Sequence, residues 1–316
     1  MPPDDPDPRL VRAVVGRVFP PDAGCRVERV AEGVSTFVYR IRRGTETFYL
    51  RILPEVDASF APEVRAHVLL RERGVRVPAV VHWEPRDTLL GLSIMVTTAI
   101  PGCHLGRRPV DEATREIVAA AGRQLALVHT VPVRGFGWVR RDRAEPADLE
   151  GEHPTLRAFI LEHLEADLAA LERRQLLSGH DAAAIRALVE THPSWLDAEQ
   201  AKLAHGDFDV TQIFQQDGRY TGLIDFGEIR GADRWYDLGH FRMHDGETLP
   251  VPVLDWLLEG YGSAAPLPVD HRRRIGVASV LIAVRALARC LERRPEQVAR
   301  HLARTSIPRD LMLLSE

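Results

Sequence analysis

The feature that most constrains this chain is a change of hydrophobic period at Ile100-Pro101-Gly102. Before it, from about Cys25 to Thr98, short runs rich in β-branched and aromatic residues read as strands: Arg26 to Val30, Phe37 to Arg42, Thr47 to Leu53, Val80 to Trp83 and Leu92 to Thr97. One stretch among them, Ala61 to Arg73, reads as a helix that ends at Gly74 and is followed by Pro78. After the break the period lengthens to that of helices, at about Asp111 to Val131, Leu156 to Leu177, Ala182 to His192, Val253 to Gly260, His271 to Glu292 and Pro295 to Ala303. The pattern predicts an α+β chain of two lobes. Residues 1–100 would form a five-stranded antiparallel sheet with one helix, and residues 101–316 a mainly helical lobe with one inserted hairpin.

That hairpin carries two strings, His205-Gly206-Asp207-Phe208-Asp209-Val210-Thr211-Gln212 and Ile224-Asp225-Phe226-Gly227. Lys202 to Ala204 runs apolar into the first, Ile213-Phe214 leaves it, and Asp217-Gly218 marks a turn before Tyr220 to Ile224. Asp207 and Asp225 would then sit at ends of the hairpin, where packed strands hold a carboxylate rigidly toward a cleft. Phosphoryl transfer from a nucleotide needs a group that orients the attacking hydroxyl and oxygen ligands that hold magnesium among the phosphates. Asp207 and Gln212 are five residues apart, and Asp225 lies eighteen beyond Asp207, the order and approximate spacing of a kinase catalytic loop and its Asp-Phe-Gly motif. Either string alone reads as a capped loop or a strand end. Their joint spacing carries the inference.

Charge and cysteine usage narrow the partners. A net charge of -4 gives no general attraction to nucleic acid or to anionic membranes. The 3 cysteines, Cys25, Cys103 and Cys290, are widely spaced and show no metal-type pairing, as in a reduced cytoplasmic protein. The acidic, proline-rich Met1 to Pro8 lacks the regions of a signal peptide and reads as a frayed tail, and the apolar stretch Ile275 to Ala288 is too short and too interrupted by Arg285 to span a bilayer. Lys202 is the single lysine, so any phosphate-pairing cation in the N-terminal half must be arginine.

Such a cation is available. Arg51 lies among apolar neighbours in Phe48 to Leu53, and a carboxylate from the following helix would steer it toward the α- and β-phosphates of a nucleotide; Glu63 is the first candidate and Glu55 the second. Upstream, Glu32-Gly33-Val34-Ser35-Thr36-Phe37 forms a turn with one glycine and two hydroxyls, Ser35 and Thr36, that can close over phosphates with backbone N–H groups. An isolated glycine turn and a surface Arg–Glu pair are commonplace; the downstream strings give them meaning.

These segments together resemble the aminoglycoside phosphotransferase family, a branch of the protein-kinase-like fold that includes choline, fructosamine and macrolide kinases. The resemblance covers nearly the whole chain: the Gly33 loop, Arg51, Glu63, the strand Ile94 to Ala99 leading into Pro101-Gly102, the helix ending Leu127-Val128-His129, both strings, and Gly231 to Leu238 with its Tyr236-Asp237-Leu238. It implies a small-molecule kinase that takes ATP or GTP as donor, needs Mg2+ and phosphorylates a hydroxyl. By that resemblance Asp207 is the catalytic base, His205 and Gly206 shape its loop, Asp225 binds metal, and Thr97 and Ala99 belong to the linker against which adenine binds. Arg51 stands where the wider superfamily commonly has Lys, and Gln212 where the family most often has a metal-binding Asn.

Two other readings stay open. A kinase-like module that binds nucleotide without catalysis is motivated by Gln212 and the missing lysine. A zinc site on His240 and His244, four apart, has the spacing of two ligands on one helix face but lacks the adjoining Glu of zinc proteases. For the acceptor, Asp209, Glu228, Asp233, Asp245 and Glu247 would cluster and attract a cation, but Arg219, Arg230, Arg234 and Arg242 are interleaved with them. The apolar Trp235, Tyr236, Phe241, Trp256 and Tyr261 would line a pocket or the core.

Overall fold

The structure, a computed structural model, describes residues 5–19, 24–30, 36–145, 147–198 and 200–315. They divide into two compact units, one of Met1–Pro101, Arg140–Leu149 and Gly222–Ile224, the other of Gly102–Val139, Glu150–Thr221 and Asp225–Glu316.

The first unit contains α1 (Pro8–Val18), β1 (Arg26–Val30), β2 (Phe37–Arg43), β3 (Glu46–Ile52), α2 (Ala61–Glu72), β4 (Val80–Glu84) and β5 (Ile94–Thr98). The strands form one antiparallel sheet in the order β1-β2-β3-β5-β4. In β3 the period of two puts Phe48, Leu50 and Ile52 on the buried face and leaves Tyr49 and Arg51 on the other. Phe48, Leu50 and Ile52 pack with Val11, Val14 and Val15 of α1 and with Ile41, Ile94 and Val96, each fully buried side chain contributing about 1.5–3 kcal/mol.

Asp7 and Pro8, read from the sequence as the end of a frayed tail, instead start helix α1. Asp7 caps it by accepting from the Arg9 N–H at 2.7 Å, and Pro8 fits the first turn, where no backbone donor is needed. Residues 1–4 lie outside the described set.

The second unit opens with β6 (Cys103–His104), α3 (Glu112–Val128), β7 (Pro132–Val133), β8 (Phe136–Val139) and β9 (Gly151–His153). It continues through α4 (Leu156–Leu161), α5 (Leu164–Arg173), α6 (Gly179–Thr191), β10 (Ala201–Ala204), β11 (Ile213–Gln216), β12 (Arg219–Leu223) and β13 (Arg230–Ala232). It ends with α7 (Arg234–His244), α8 (Leu254–Ala264), α9 (His271–Arg293), α10 (Val298–Arg304) and α11 (Ile307–Ser315). The single helix expected over Leu156 to Leu177 is two, parted at Glu162-His163, and α7 and α11 are helices the periodicity did not separate from loops.

The hairpin also differs from expectation. Strand β10, which leads into Asp207, pairs with β7 and β13 in a sheet of order β7-β10-β13-β8-β9, whereas β11 and β12 join β6 in a separate one. Asp217 and Gly218, both at positive φ (52° and 75°), make the β11–β12 turn. Helices α3 and α8 pack so closely that a Cβ on Gly260 would overlap the Ala119 carbonyl. No described helix is long and apolar enough to cross a membrane.

Candidate active site

The loop after β10 is held from beneath by one buried carboxylate. Asp237, on α7 and 0% exposed, accepts the His205 N–H at Oδ2 (2.7 Å) and the Gly206 N–H at Oδ1 (2.8 Å). Its Oδ2 also meets Nε2 of His129 at 3.0 Å, and the His129 Nδ1 lies 2.9 Å from the Tyr261 hydroxyl. A carboxylate can only accept, so Nε2 carries the proton and, in the neutral ring, Nδ1 takes the Tyr261 O–H. Burial works against the charge on Asp237, but His129 and the Gly206 amide hold its carboxyl below the usual range.

Gly206 is required where it stands. Its φ is +88°, and a Cβ would collide with the Glu228 carbonyl and the Arg230 guanidinium. Arg230, 5% exposed, donates from Nη1 to the Gly206 carbonyl (2.7 Å) and the Glu228 carbonyl (2.8 Å), stitching the two catalytic strings together. Beyond Asp207 the loop is shaped by Asp209, whose Oδ1 accepts from the Thr211 N–H (2.6 Å) and hydroxyl (2.5 Å).

Asp207 itself keeps 47% of its side-chain exposure. Desolvation on its protein-facing side raises its carboxyl to about 6; the charge of His205 opposes this, and Asp209, Asp225 and Glu228 reinforce it. His205 is completely buried against Phe226, ring centroids 4.5 Å apart, and its Nδ1 lies 3.4 Å from the Asp207 backbone nitrogen. His240 sets Nε2 3.4 Å from Asp207 Oδ1 while Nδ1 meets the Phe208 carbonyl at 3.2 Å. Burial, and then His244, push the His240 imidazolium down to about 4, so this ring is neutral at physiological pH.

Asp225 is exposed and left-handed (φ 64°, ψ 57°), a strained conformation that Asp tolerates better than most residues. Phe226, the next residue, is fully buried and anchors the turn. Gln212 is 8% exposed, its N–H donating to the Asp209 carbonyl at 3.2 Å.

In the first unit Arg51 and Glu63, the first candidate, form an ion pair, with Glu63 2% and Arg51 13% exposed. Burial alone would raise the Glu63 carboxyl, but Arg51 and then His67 overcome it and hold it at about 2. A carboxyl depressed in the folded state stabilises fully above its unfolded value of 4.5 and loses that contribution as pH falls toward 2. Glu63→Gln should therefore lower stability by roughly 3 kcal/mol at neutral pH. The gap to the wild type should close between pH 4.5 and 2 in acid-unfolding curves; a pH-independent gap would show that charge is not the cause.

Of the other anticipated nucleotide residues, Gly33 and Ser35 lie outside the described residues. Thr36 is 8% exposed just before β2, and Thr97 is buried in β5 opposite Tyr49 and Val80. The Ala99 N–H donates to the Thr47 carbonyl at 3.0 Å.

The acidic cluster anticipated for the acceptor assembles only in part: Asp209 and Glu228 lie near Asp207, and the other three are engaged elsewhere. Asp233 caps α7, Asp245 accepts from the Val253 and Leu254 amides, and Glu247 pairs with His244. A cavity of about 610 Å³ does open beside Asp207 within the second unit, walled by Trp138, Phe159, Tyr236, Glu228, Arg230 and residues of α9. Of the anticipated aromatic residues only Tyr236 lines it.

Sequence reasoning missed the anchoring by Asp237, His129 and Tyr261. The signal was present: an Asp between Tyr236 and Leu238, on a helix whose neighbours are apolar, must find donors if buried.

A clamped His-Gly-Asp loop and an Asp-Phe-Gly turn, in an α+β chain with a five-stranded antiparallel sheet, define a kinase-type phosphotransferase. Residues 26–275 match the phosphotransferase enzyme family, and the chain belongs to that family. An aminoglycoside 3'-phosphotransferase of Enterococcus faecalis is 23% identical over 218 residues, covering 67% of this chain and 77% of that protein. Among solved structures, a GDP complex of a mutant aminoglycoside 2'-phosphotransferase IIIa aligns with TM-score 0.68 at 16% identity over 96% of this chain and 97% of that one. A thermostable mutant of aminoglycoside phosphotransferase APH(4)-Ia, in ternary complex with ADP and hygromycin B, aligns with TM-score 0.66 at 15% identity over 96% and 98%. The fold expected from the sequence is the fold these proteins have.

Proposed function

We propose that this protein transfers the γ-phosphate of ATP, or of GTP, to a hydroxyl of a small molecule in the cytoplasm. The observation that carries the reading is the half-buried Asp207 on a loop whose backbone is fixed by Asp237 and Arg230. Residues 1–100 would bind the nucleotide and residues 101–316 the acceptor. The supporting comparisons concern phosphotransferases, two of them solved with GDP or ADP bound.

In this mechanism Asp207 accepts a hydrogen bond from the acceptor hydroxyl and takes its proton as the new P–O bond forms. His205, buried, is a positioning residue for the loop. Arg51, aimed by Glu63, pairs with the α- and β-phosphates; Gly33, Ser35 and Thr36 close over them; Thr97 and Ala99 flank the base. The carboxylates that raise Asp207 make this edge of the unit electronegative, which fits a divalent cation. Asp225 and Gln212 would hold Mg2+, whose role when bound is to neutralise charge on the transferring phosphates.

A coupled ATP-consumption assay against aminoglycosides, macrolides, choline-like alcohols and sugars tests the reading. Turnover should fall to background with excess EDTA and return on adding Mg2+. ATP binding with no turnover on any acceptor would instead favour a binding module, for which the buried Gln212 is the structural motive.

A further inference from the structure

The cavity beside Asp207 carries charges that do not cancel in pairs. Three arginines of α9, Arg285, Arg289 and Arg293, recur every fourth residue and line one wall, and Arg230 lines another. Most of the acids have partners of their own. Asp167 pairs with Arg285 at 2.8 Å and Glu228 with Arg230 at 3.3 Å. Glu162 meets His163 at 3.1 Å and His153 at 3.4 Å, contacts that balance its charge only when those rings are protonated, and Glu152 is exposed.

Arg289 and Arg293 have no carboxylate partner among the described residues. Arg293, exposed in the last turn of α9, gains from the partial negative charge at the helix C-terminus. Arg289 sits one turn deeper and is half-buried, with its guanidinium 5.7 Å from the Trp138 ring centroid. Burial, and then Arg293, hold its pKa down; Glu228 opposes this, and Arg230 and Arg285 add to it. A half-buried guanidinium crowded by three others is a site short of an anion.

We propose that the acceptor carries a carboxylate or phosphate group, bound by Arg289 and Arg293, together with the hydroxyl presented to Asp207. This rests on the phosphotransferase reading for its orientation, but the anion site stands on its own geometry. Arginine binds such planar or tetrahedral oxyanions with paired N–H donors. An ammonium group placed at Arg289 and Arg293 would be repelled, so this end of the cavity disfavours a cationic substituent.

The test is calorimetric binding, without nucleotide, of glucose, glucosamine, gluconate and glucose 6-phosphate, which offer similar hydroxyls and differ in charge. Gluconate or glucose 6-phosphate should bind at least about tenfold more tightly than glucose or glucosamine. That advantage should disappear in Arg289→Gln and in Arg293→Gln and survive largely in Arg289→Lys. The exposed Arg293 gives a variant that does not threaten folding. Preference for the cationic sugar, no charge preference, or anion binding unchanged in both Gln variants overturns the proposal. The phosphotransferase reading is tested separately, by turnover with the wider acceptor panel: anion binding lost in the Gln variants supports the anion site whether or not any of these four compounds accepts phosphate.

Discussion

Asp207→Asn should lower phosphotransfer by about 10²–10⁴-fold, the usual contribution of a positioned general base, while ATP affinity and thermal stability hold. The stability half of this prediction follows from electrostatics. Asp207 is destabilised as an anion by burial and by Asp209, Asp225 and Glu228, so a neutral side chain of the same shape relieves repulsion. The melting temperature should stay level or rise. The loop itself does not depend on the Asp207 carboxylate, since its backbone is tied to Asp237 and Arg230. Steady-state kinetics, ATP titration and a melting curve on one preparation settle the matter. Full turnover would remove Asp207 from the role of base; lost turnover with a collapsed melting temperature would mean that the residue is structural.

Asp237→Ala should be the opposite kind of lesion, unstable and inactive together. It would strand two buried backbone donors, on His205 and Gly206, and the Nε2 of His129. Each unsatisfied group costs about 1–3 kcal/mol, so a loss of more than about 3 kcal/mol is expected in urea unfolding. Asp237→Asn should be nearly as damaging. An amide supplies one acceptor oxygen where two are used, and turns its own N–H donors toward another donor. Activity should stay low even at temperatures where either variant is folded, because Asp207 is then carried on a loosened loop. A stable, fully active Asp237→Ala would show that the clamp is dispensable.

The two effects differ in how visible they are in sequence. Asp207 and Asp225 are legible because their chemistry is local: two short strings at a fixed spacing name them. The strands of the first unit are legible for a related reason, since alternation such as Phe48, Leu50, Ile52 states which face is buried. Asp237 acts across 32 residues on His205 and across 108 on His129, and no local pattern encodes such a partner. Strands β7, β9 and β13 are two or three residues long and exist by pairing with distant segments. The break at Glu162-His163 is hidden because apolar spacing continues through it from Leu161 to Leu164 and Leu168. The tail reading overran the helix start at Asp7-Pro8, because that pair suits a helix start as well as it suits disorder.

The anchoring of the catalytic loop also separates what must stay fixed from what is free to change. The loop hangs from His129, Asp237 and Tyr261, supplied by the end of α3, by α7 and by α8. Helix α9 supplies a large share of the cavity lining beside Asp207 and, among the hydrogen bonds of the described residues, takes no part in that clamp. Substitutions at its more open cavity positions, Arg289 and Arg293, should therefore leave the reacting carboxylate in place. The protein thus keeps its engine mount apart from part of the wall that meets the acceptor, and the two can be altered independently by mutation.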